Sequence, residues 1–229
     1  MHNFWVSTPH PTIRHTHPLH YFYLPYPRGV YNFYMQTNHL NLFPTPIAYT
    51  QGFLNEEEAK SLFSYCLSRK SKEHSAVTGN GVSTHHKQAA LLEDAMDAGV
   101  LSKAIYKRLG KAILDYATLS GYKYSHIANS WCNVQNNGSG LAKHTHPKAV
   151  ISGVFYLNVD EDSSPIYFYN PNPFIQYFGA SNEVPHGFEW YRIYPEIGAL
   201  ILFPGWLPHG SGEHENKTNN RVAVSFNVE

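Results

Sequence analysis

The chain has 229 residues, 42% of them hydrophobic, which is enough for one sizeable core. Lys and Arg number 17 and Asp and Glu number 17, so no net field draws the protein towards nucleic acid or a membrane surface. Cys66 and Cys132 are the only cysteines, and no apolar run reaches bilayer length, which argues against a disulfide framework and a transmembrane helix. No basic n-region leads into an apolar h-region, so the expected compartment is the cytoplasm.

Residues 1–34 are crowded with His, Pro and Tyr, and Arg14 and Arg28 are their only charges. They show no helical or strand period, so they are expected to be a disordered tail or translated leader, with Met35 as the natural start. This tail contains His15-Thr16-His17-Pro18, the same four letters as His144-Thr145-His146-Pro147. Only the second copy is followed by a strand-like run, Ala149 to Val159, so the chemistry is expected there.

Residues 35–229 are expected to form a single domain, with helical support over 50–121 and a β core over 122–229. A short extended piece, Leu42 to Tyr49, precedes a helix over Asn55 to Ser68: Asn55 is an N-cap, Glu56, Glu57 and Glu58 complement the dipole, and Leu62, Phe63 and Cys66 follow at helical spacing. Lys70 to His86 is polar and glycine-bearing and reads as a loop. A second helix is expected from about Ala98 to Leu119, with Leu101, Ile105, Leu109, Ile113 and Tyr116 on one face. From Tyr122 the pattern changes to short aromatic and β-branched runs, Tyr124 to Val134, Val150 to Val159, Pro165 to Tyr169, Ala199 to Phe203 and Arg221 to Val228. Turn signals such as Asn136-Asn137-Gly138 and Pro204-Gly205 separate them. Helices first and strands second imply an α+β chain whose second half is a barrel or sandwich.

Two histidines at i and i+2 on a strand share a face, so His144 and His146 are placed to converge on one ion. His209, just past the apolar strand Gly198 to Phe203, can close the site from another strand's end. Three imidazoles on one hemisphere leave open coordination positions. Surface or satisfied core histidines are the bland alternative. Twelve residues after His209 comes Arg221, on a strand whose alternation puts Arg221, Ala223, Ser225 and Asn227 on one face and Val222, Val224 and Phe226 on the other. Periodicity alone leaves open whether that face meets solvent.

Taken in order, Ser130-Trp131 leading to Gly138, His144-x-His146-Pro147, Ser152-Gly153-Val154-Phe155-Tyr156-Leu157-Asn158, Phe203-Pro204-Gly205-Trp206-Leu207-Pro208-His209 and Arg221 through Asn227 resemble the iron(II)/2-oxoglutarate-dependent dioxygenases of the prolyl-hydroxylase type. The closest likeness is to an uncharacterised bacterial and phage branch with a His-x-His-Pro motif. The resemblance implies a double-stranded β-helix, that is, a cupin-like jelly roll, buttressed by the N-terminal helices. It implies Fe(II) and 2-oxoglutarate as cofactors, dioxygen as co-substrate, and hydroxylation of an unactivated carbon with release of succinate and carbon dioxide. His144 and His209 are the implied ligands, and Arg221 the implied partner of the distal carboxylate of 2-oxoglutarate. Ser152 and Tyr156 are implied to hydrogen-bond that carboxylate, with Ser225 one pleat repeat further from Arg221. Asn133 is a further candidate to aim at the metal from the first strand of the barrel.

One departure matters: His146 stands where the family usually has a carboxylate. Ligation by His146 is expected; a vacant position beside it would leave room for a halide and halogenation. Two other readings compete. A three-histidine cupin dioxygenase would place Gly138 before His-x-His and would need neither 2-oxoglutarate nor Arg221. A non-catalytic metal-binding module would need a closed site, with Cys132 as the candidate fourth ligand. The connecting region Asn170 to Tyr194 is expected to carry specificity, and Phe174, Tyr177, Phe178, Trp190 and Tyr191 to cover the barrel or line its pocket. The substrate, a small molecule or peptide, is not legible, and a homodimer is conceivable.

Overall fold

Asn55 caps the first helix, α1 (Glu56–Ser68), through a reciprocal box: its side chain accepts from the Glu58 amide at 2.9 Å, and its own amide donates to the Glu58 carboxylate at 2.9 Å. This computed structural model describes residues 43–69, 71–86, 89–178, 187–212 and 214–229. The expected tail over 1–34, the start at Met35 and the first His-x-His-Pro copy lie outside the described residues.

A three-residue strand, β1 (Ala48–Thr50), precedes α1. The expected loop after α1 instead carries two short strands, β2 (Val77–Thr78) and β3 (Gly81–Ser83), which join different sheets. Strands this short leave no period to read. Gly79 turns between them at φ +63, where a Cβ would lie 2.2 Å from the Gly138 carbonyl oxygen. The expected second helix divides into α2 (Leu91–Asp97) and α3 (Lys103–Ser120). Gly99, at φ +72, breaks the chain between them, and Ser102 caps α3 by accepting from the Ile105 amide at 3.2 Å.

The remaining strands are β4 (Ile127–Gln135), β5 (Gly140–Leu141), β6 (Ile151–Asn158), β7 (Ile166–Tyr169), β8 (Trp190–Ile193), β9 (Leu200–Pro204), β10 (His209–Gly210) and β11 (Arg221–Val228). They pair antiparallel as a six-stranded sheet, β1-β9-β6-β11-β4-β3, a three-stranded sheet, β10-β7-β8, and a two-stranded ribbon, β2-β5.

Alternation decides what the large sheet buries on each side. Cys132 and Val134 of β4, Ile151, Phe155 and Leu157 of β6, and Val222, Val224, Phe226 and Val228 of β11 pack with Leu62, Leu92, Leu109 and Ile113 of the helices. Gly153 lies in this face because a Cβ there would meet the Phe226 ring at 2.1 Å. The opposite set, Val154, Tyr156, Ile201, Phe203 and Ala223, packs with Ile166 and Phe168 of the small sheet. Two facing antiparallel sheets with helices on the outer face of the larger one make the α+β double-stranded β-helix that the sequence predicts. Asn129, Trp131, Asn133 and Gln135 of β4 and Arg221, Ala223, Ser225 and Asn227 of β11 thereby share the inner face, and that positions the site.

Candidate metal centre and active site

His144 and His209 exchange backbone hydrogen bonds, His144 N to His209 O at 2.9 Å and His209 N to His144 O at 3.0 Å. His146 is tethered by its amide to Gly205 O at 2.8 Å. The three side chains offer ring nitrogens all within 4.8 Å of one another. The expectation that His144 and His146 converge by lying on one strand needs correction. His144 forms only a single bridge, His146 belongs to no strand, and backbone hydrogen bonds to the Gly205–His209 segment do the converging.

Two of the rings are held in a ligating orientation. His144 Nδ1 lies 2.7 Å from Ala142 O and His209 Nδ1 lies 3.0 Å from Leu207 O. A carbonyl only accepts, so each Nδ1 carries the proton and each Nε2 keeps its lone pair. Burial drives the imidazoles neutral: His209 is pushed down to about 3 and His146 to about 4, with the neighbouring His144 adding to both, and His144 itself is lowered, chiefly by burial. Neutral imidazole is the form a metal requires.

The triad opens on a cavity of about 220 Å³ that also reaches Arg221, Gln135, Tyr156 and Asn133. Arg221 and Gln135 are opposite partners on β11 and β4, and the guanidinium donates through Nη1 to Gln135 Oε1 and through Nε to Ser164 O at 3.1 Å. Burial lowers the Arg221 pKa, and the adjacent Tyr156, whose ring centroid is 5.3 Å from Cζ, favours the charged form. The ion pairs among the described residues, Arg69–Asp94, Arg108–Glu58 and Lys111–Asp115, do not include it. Of the two residues that hold it, Gln135 Nε2 and Ser164 Oγ are buried without a partner among the described residues. A buried cation with spare donors, next to unpaired polar atoms, is matched to an incoming carboxylate.

The other expected cofactor residues separate along the strands. Tyr156 lies against Arg221, and Ser225 and Asn133 line the cavity. Ser152 is not brought to Arg221: the register pairs Ser152 with Asn227 and Tyr156 with Ala223, and the Ser152 hydroxyl donates to Asn227 Oδ1 at 2.8 Å. Six strand residues separate Asn227 from Arg221, roughly 20 Å. Cys132 faces the helix-side core, so it is no fourth ligand for the triad. Phe174, Tyr177, Trp190 and Tyr191 are exposed, and of these Trp190 alone has its ring against a buried residue of the small sheet, Tyr167, at 5.1 Å among the described residues; the Phe178 side chain lies outside the described residues.

Several lining residues went unread in the sequence. Gln135 follows Asn133 at the strand period, so alternation alone pointed to it. His74 and His85, in the segment taken for a loop, form a ring relay to the triad: His74–His85 at 4.7 Å, His85–Trp131 at 4.7 Å and Trp131–His146 at 5.7 Å. No sequence signal joined them.

Residues 129–227 match the family described as "Putative 2OG-Fe(II) oxygenase". The match spans the strand-rich half that carries the triad and Arg221. The chain is similar in fold to a prolyl-4-hydroxylase of Pseudomonas putida (13% identity, 81% of this chain and 92% of that one, TM-score 0.53). It is similar also to a 2OG-Fe(II) oxygenase-family protein of Burkholderia pseudomallei (11%, 80% and 84%, TM-score 0.55) and to HygX of Streptomyces hygroscopicus, crystallised with nickel and 2-oxoglutarate (10%, 80% and 82%, TM-score 0.51). No curated protein matches the chain in sequence. The residues present fit iron(II) and 2-oxoglutarate: three neutral imidazoles for the metal and, in the same cavity, a guanidinium that no carboxylate among the described residues pairs, for the acid. No helix among the described residues is long and apolar enough to cross a membrane.

Proposed function

We propose that the chain hydroxylates an unactivated carbon of its substrate, using iron(II) held by His144, His146 and His209 and 2-oxoglutarate held at its distal carboxylate by Arg221. The observation that carries this reading is the buried, acid-free guanidinium in the cavity of the histidine triad. When bound, iron(II) and 2-oxoglutarate supply oxidative decarboxylation by dioxygen and insertion of an oxygen atom into a C–H bond. Arg221 provides two parallel donors and a permanent charge, while Gln135 fixes its plane and Tyr156 flanks it. Asn133 and Ser225 lie along the cavity, where their uncharged polar groups leave the acid's charge to Arg221. Phe203 and Phe168, 4.7 and 6.3 Å from the His209 ring, exclude water from the metal's inner side.

The substrate enters from the Trp131, His85 and His74 side, where the lining holds no carboxylate or lysine among the described residues. That side therefore suits an uncharged reacting group held by ring contacts and single hydrogen bonds. The two free cysteines accord with a reducing cytoplasm. The test is 2-oxoglutarate consumption by the iron-loaded protein: succinate formation that disappears in Arg221→Ala and in His209→Ala is expected, and undiminished succinate formation in Arg221→Ala defeats the reading.

A further inference from the structure

His146 differs from its two companions in what stands behind its ring. His144 and His209 each meet a backbone carbonyl, an acceptor, at Nδ1. Behind His146 is the Asn227 amide, with Nδ2 3.4 Å from Nδ1. Two clamps set that amide's orientation. Ser152 Oγ donates to Asn227 Oδ1 at 2.8 Å, and Asn227 Nδ2 donates to Asn129 Oδ1 at 3.0 Å. The second N–H of Nδ2 is left for His146. Ser152, Asn227 and Asn129 are neighbours by register, since Asn227 pairs with Ser152 on β6 and with Asn129 on β4.

An imidazole that accepts at Nδ1 carries its proton on Nε2 and has no lone pair there for a metal. His144 and His209 are ready to ligate; His146, as clamped, is not. For His146 to ligate through Nε2, its proton must sit on Nδ1 and find an acceptor, which Asn227 provides if its amide turns over and presents Oδ1. The clamps allow this. A hydroxyl both donates and accepts, so Ser152 can receive from the turned amide, and the Asn129 amide can reverse in step.

We propose that Asn227, clamped by Ser152 and Asn129, is the positioning residue for His146, and that reversal of its amide converts His146 from a bystander into the third metal ligand. This rests on the reading that the triad holds the metal. It assigns Ser152 a place in the metal centre's support rather than beside the Arg221 carboxylate partner. It also accounts for a neutral residue standing where the family usually has a carboxylate: the network behind the ring, rather than a charge on the ligand, sets how well that position holds the ion.

The test is a cobalt(II) titration of the full chain by calorimetry and by the visible ligand-field spectrum. Asn227→Leu, which leaves Nδ1 without a partner, is expected to weaken cobalt(II) about 10- to 100-fold. Asn227→Asp, which supplies a permanent acceptor, is expected to tighten it and to shift the spectrum. In a His146→Ala background both substitutions are expected to lose their effect, which separates support of His146 from general damage to the fold. Affinities of Asn227→Leu and Asn227→Asp both within twofold of the parent overturn the inference, and so does a loss in Asn227→Leu of equal size with and without His146. Failure of the underlying reading looks different: cobalt(II) binding would then be insensitive to His144→Ala as well.

Discussion

The guanidinium of Arg221 and the side-chain amide of Gln135 face each other across paired strands, the amide oxygen taking one donor of the guanidinium while the amide nitrogen has no partner among the described residues. The pair fixes the plane of the guanidinium without neutralising it, so the remaining donors stay available to a carboxylate.

From this follows the first prediction. A bidentate, charge-assisted contact joins two hydrogen bonds of about 1.5–3 kcal/mol each, so Arg221→Ala is expected to weaken 2-oxoglutarate by at least ~100-fold. Arg221→Lys keeps the charge but loses the fork and should recover only part of that loss. Gln135→Leu, which removes the brace alone, should weaken the acid by roughly 5- to 10-fold. Equilibrium binding of 2-oxoglutarate to the metal-loaded protein measures all three.

How much of this was legible in sequence follows from which signals are local. The large sheet was readable because β4, β6 and β11 are eight or nine residues long and alternate cleanly. Strands β2, β3 and β8 were not, since two to four residues carry no period. His144, His209 and Arg221 could be named from their order and company. Ser152 was assigned to the wrong end of the cavity because sharing a face with Tyr156 says nothing about which residue of β11 lies opposite. Register is a property of the pairing, and that depends on turns and bulges distant in sequence. The His74–His85–Trp131 relay joins residues more than forty positions apart and has no linear signature at all.

The histidines predict an acid sensitivity of the metal-free protein. Burial first, and neighbouring imidazoles second, hold His146 near 4 and His209 near 3, and burial also lowers His85 and His144. The unfolded chain, with imidazoles near 6.5, therefore binds more protons than the folded one as pH falls below that value. Their contribution is complete above about pH 6.5 and is lost progressively towards pH 4 and 3. Between pH 6.5 and 5, above the range in which carboxylates titrate, His209 alone should remove on the order of 2 kcal/mol. Urea unfolding of chelator-treated protein at pH 7.5, 6 and 5 measures the slope, which should be shallower in His209→Gln.

Packing behind the site gives a stability prediction. Gly153 lets the Phe226 ring cross β6, and a Cβ there would sit 2.1 Å from that ring. Gly153→Ala should therefore cost about 1–3 kcal/mol by overpacking. Gly153→Ala combined with Phe226→Leu should be more stable than the two separate losses predict, because the smaller side chain makes room. Thermal unfolding of the four proteins gives the coupling.

The division of the cavity between cofactor and substrate makes the last prediction. Arg221 and Trp131 lie four positions apart along the paired stretch of β4 and β11, Arg221 opposite Gln135 at its end and Trp131 opposite Ser225 near its middle. Trp131 also packs its ring against His85 on one side and His146 on the other. If 2-oxoglutarate occupies the Arg221 end and the substrate the Trp131 end, substitutions must separate by what they disturb. His85→Ala and Trp131→Phe should leave 2-oxoglutarate and cobalt(II) affinities within about threefold, since neither residue is a ligand or a carboxylate partner. They should instead change how far 2-oxoglutarate consumption is coupled to substrate oxidation, read as succinate formed against product formed once a substrate is in hand. Arg221→Ala should do the reverse, losing 2-oxoglutarate affinity without altering the product formed per succinate that remains. A His85→Ala protein that loses 2-oxoglutarate as severely as Arg221→Ala would place the acid across the whole cavity and leave the substrate no room beside the Trp131 ring.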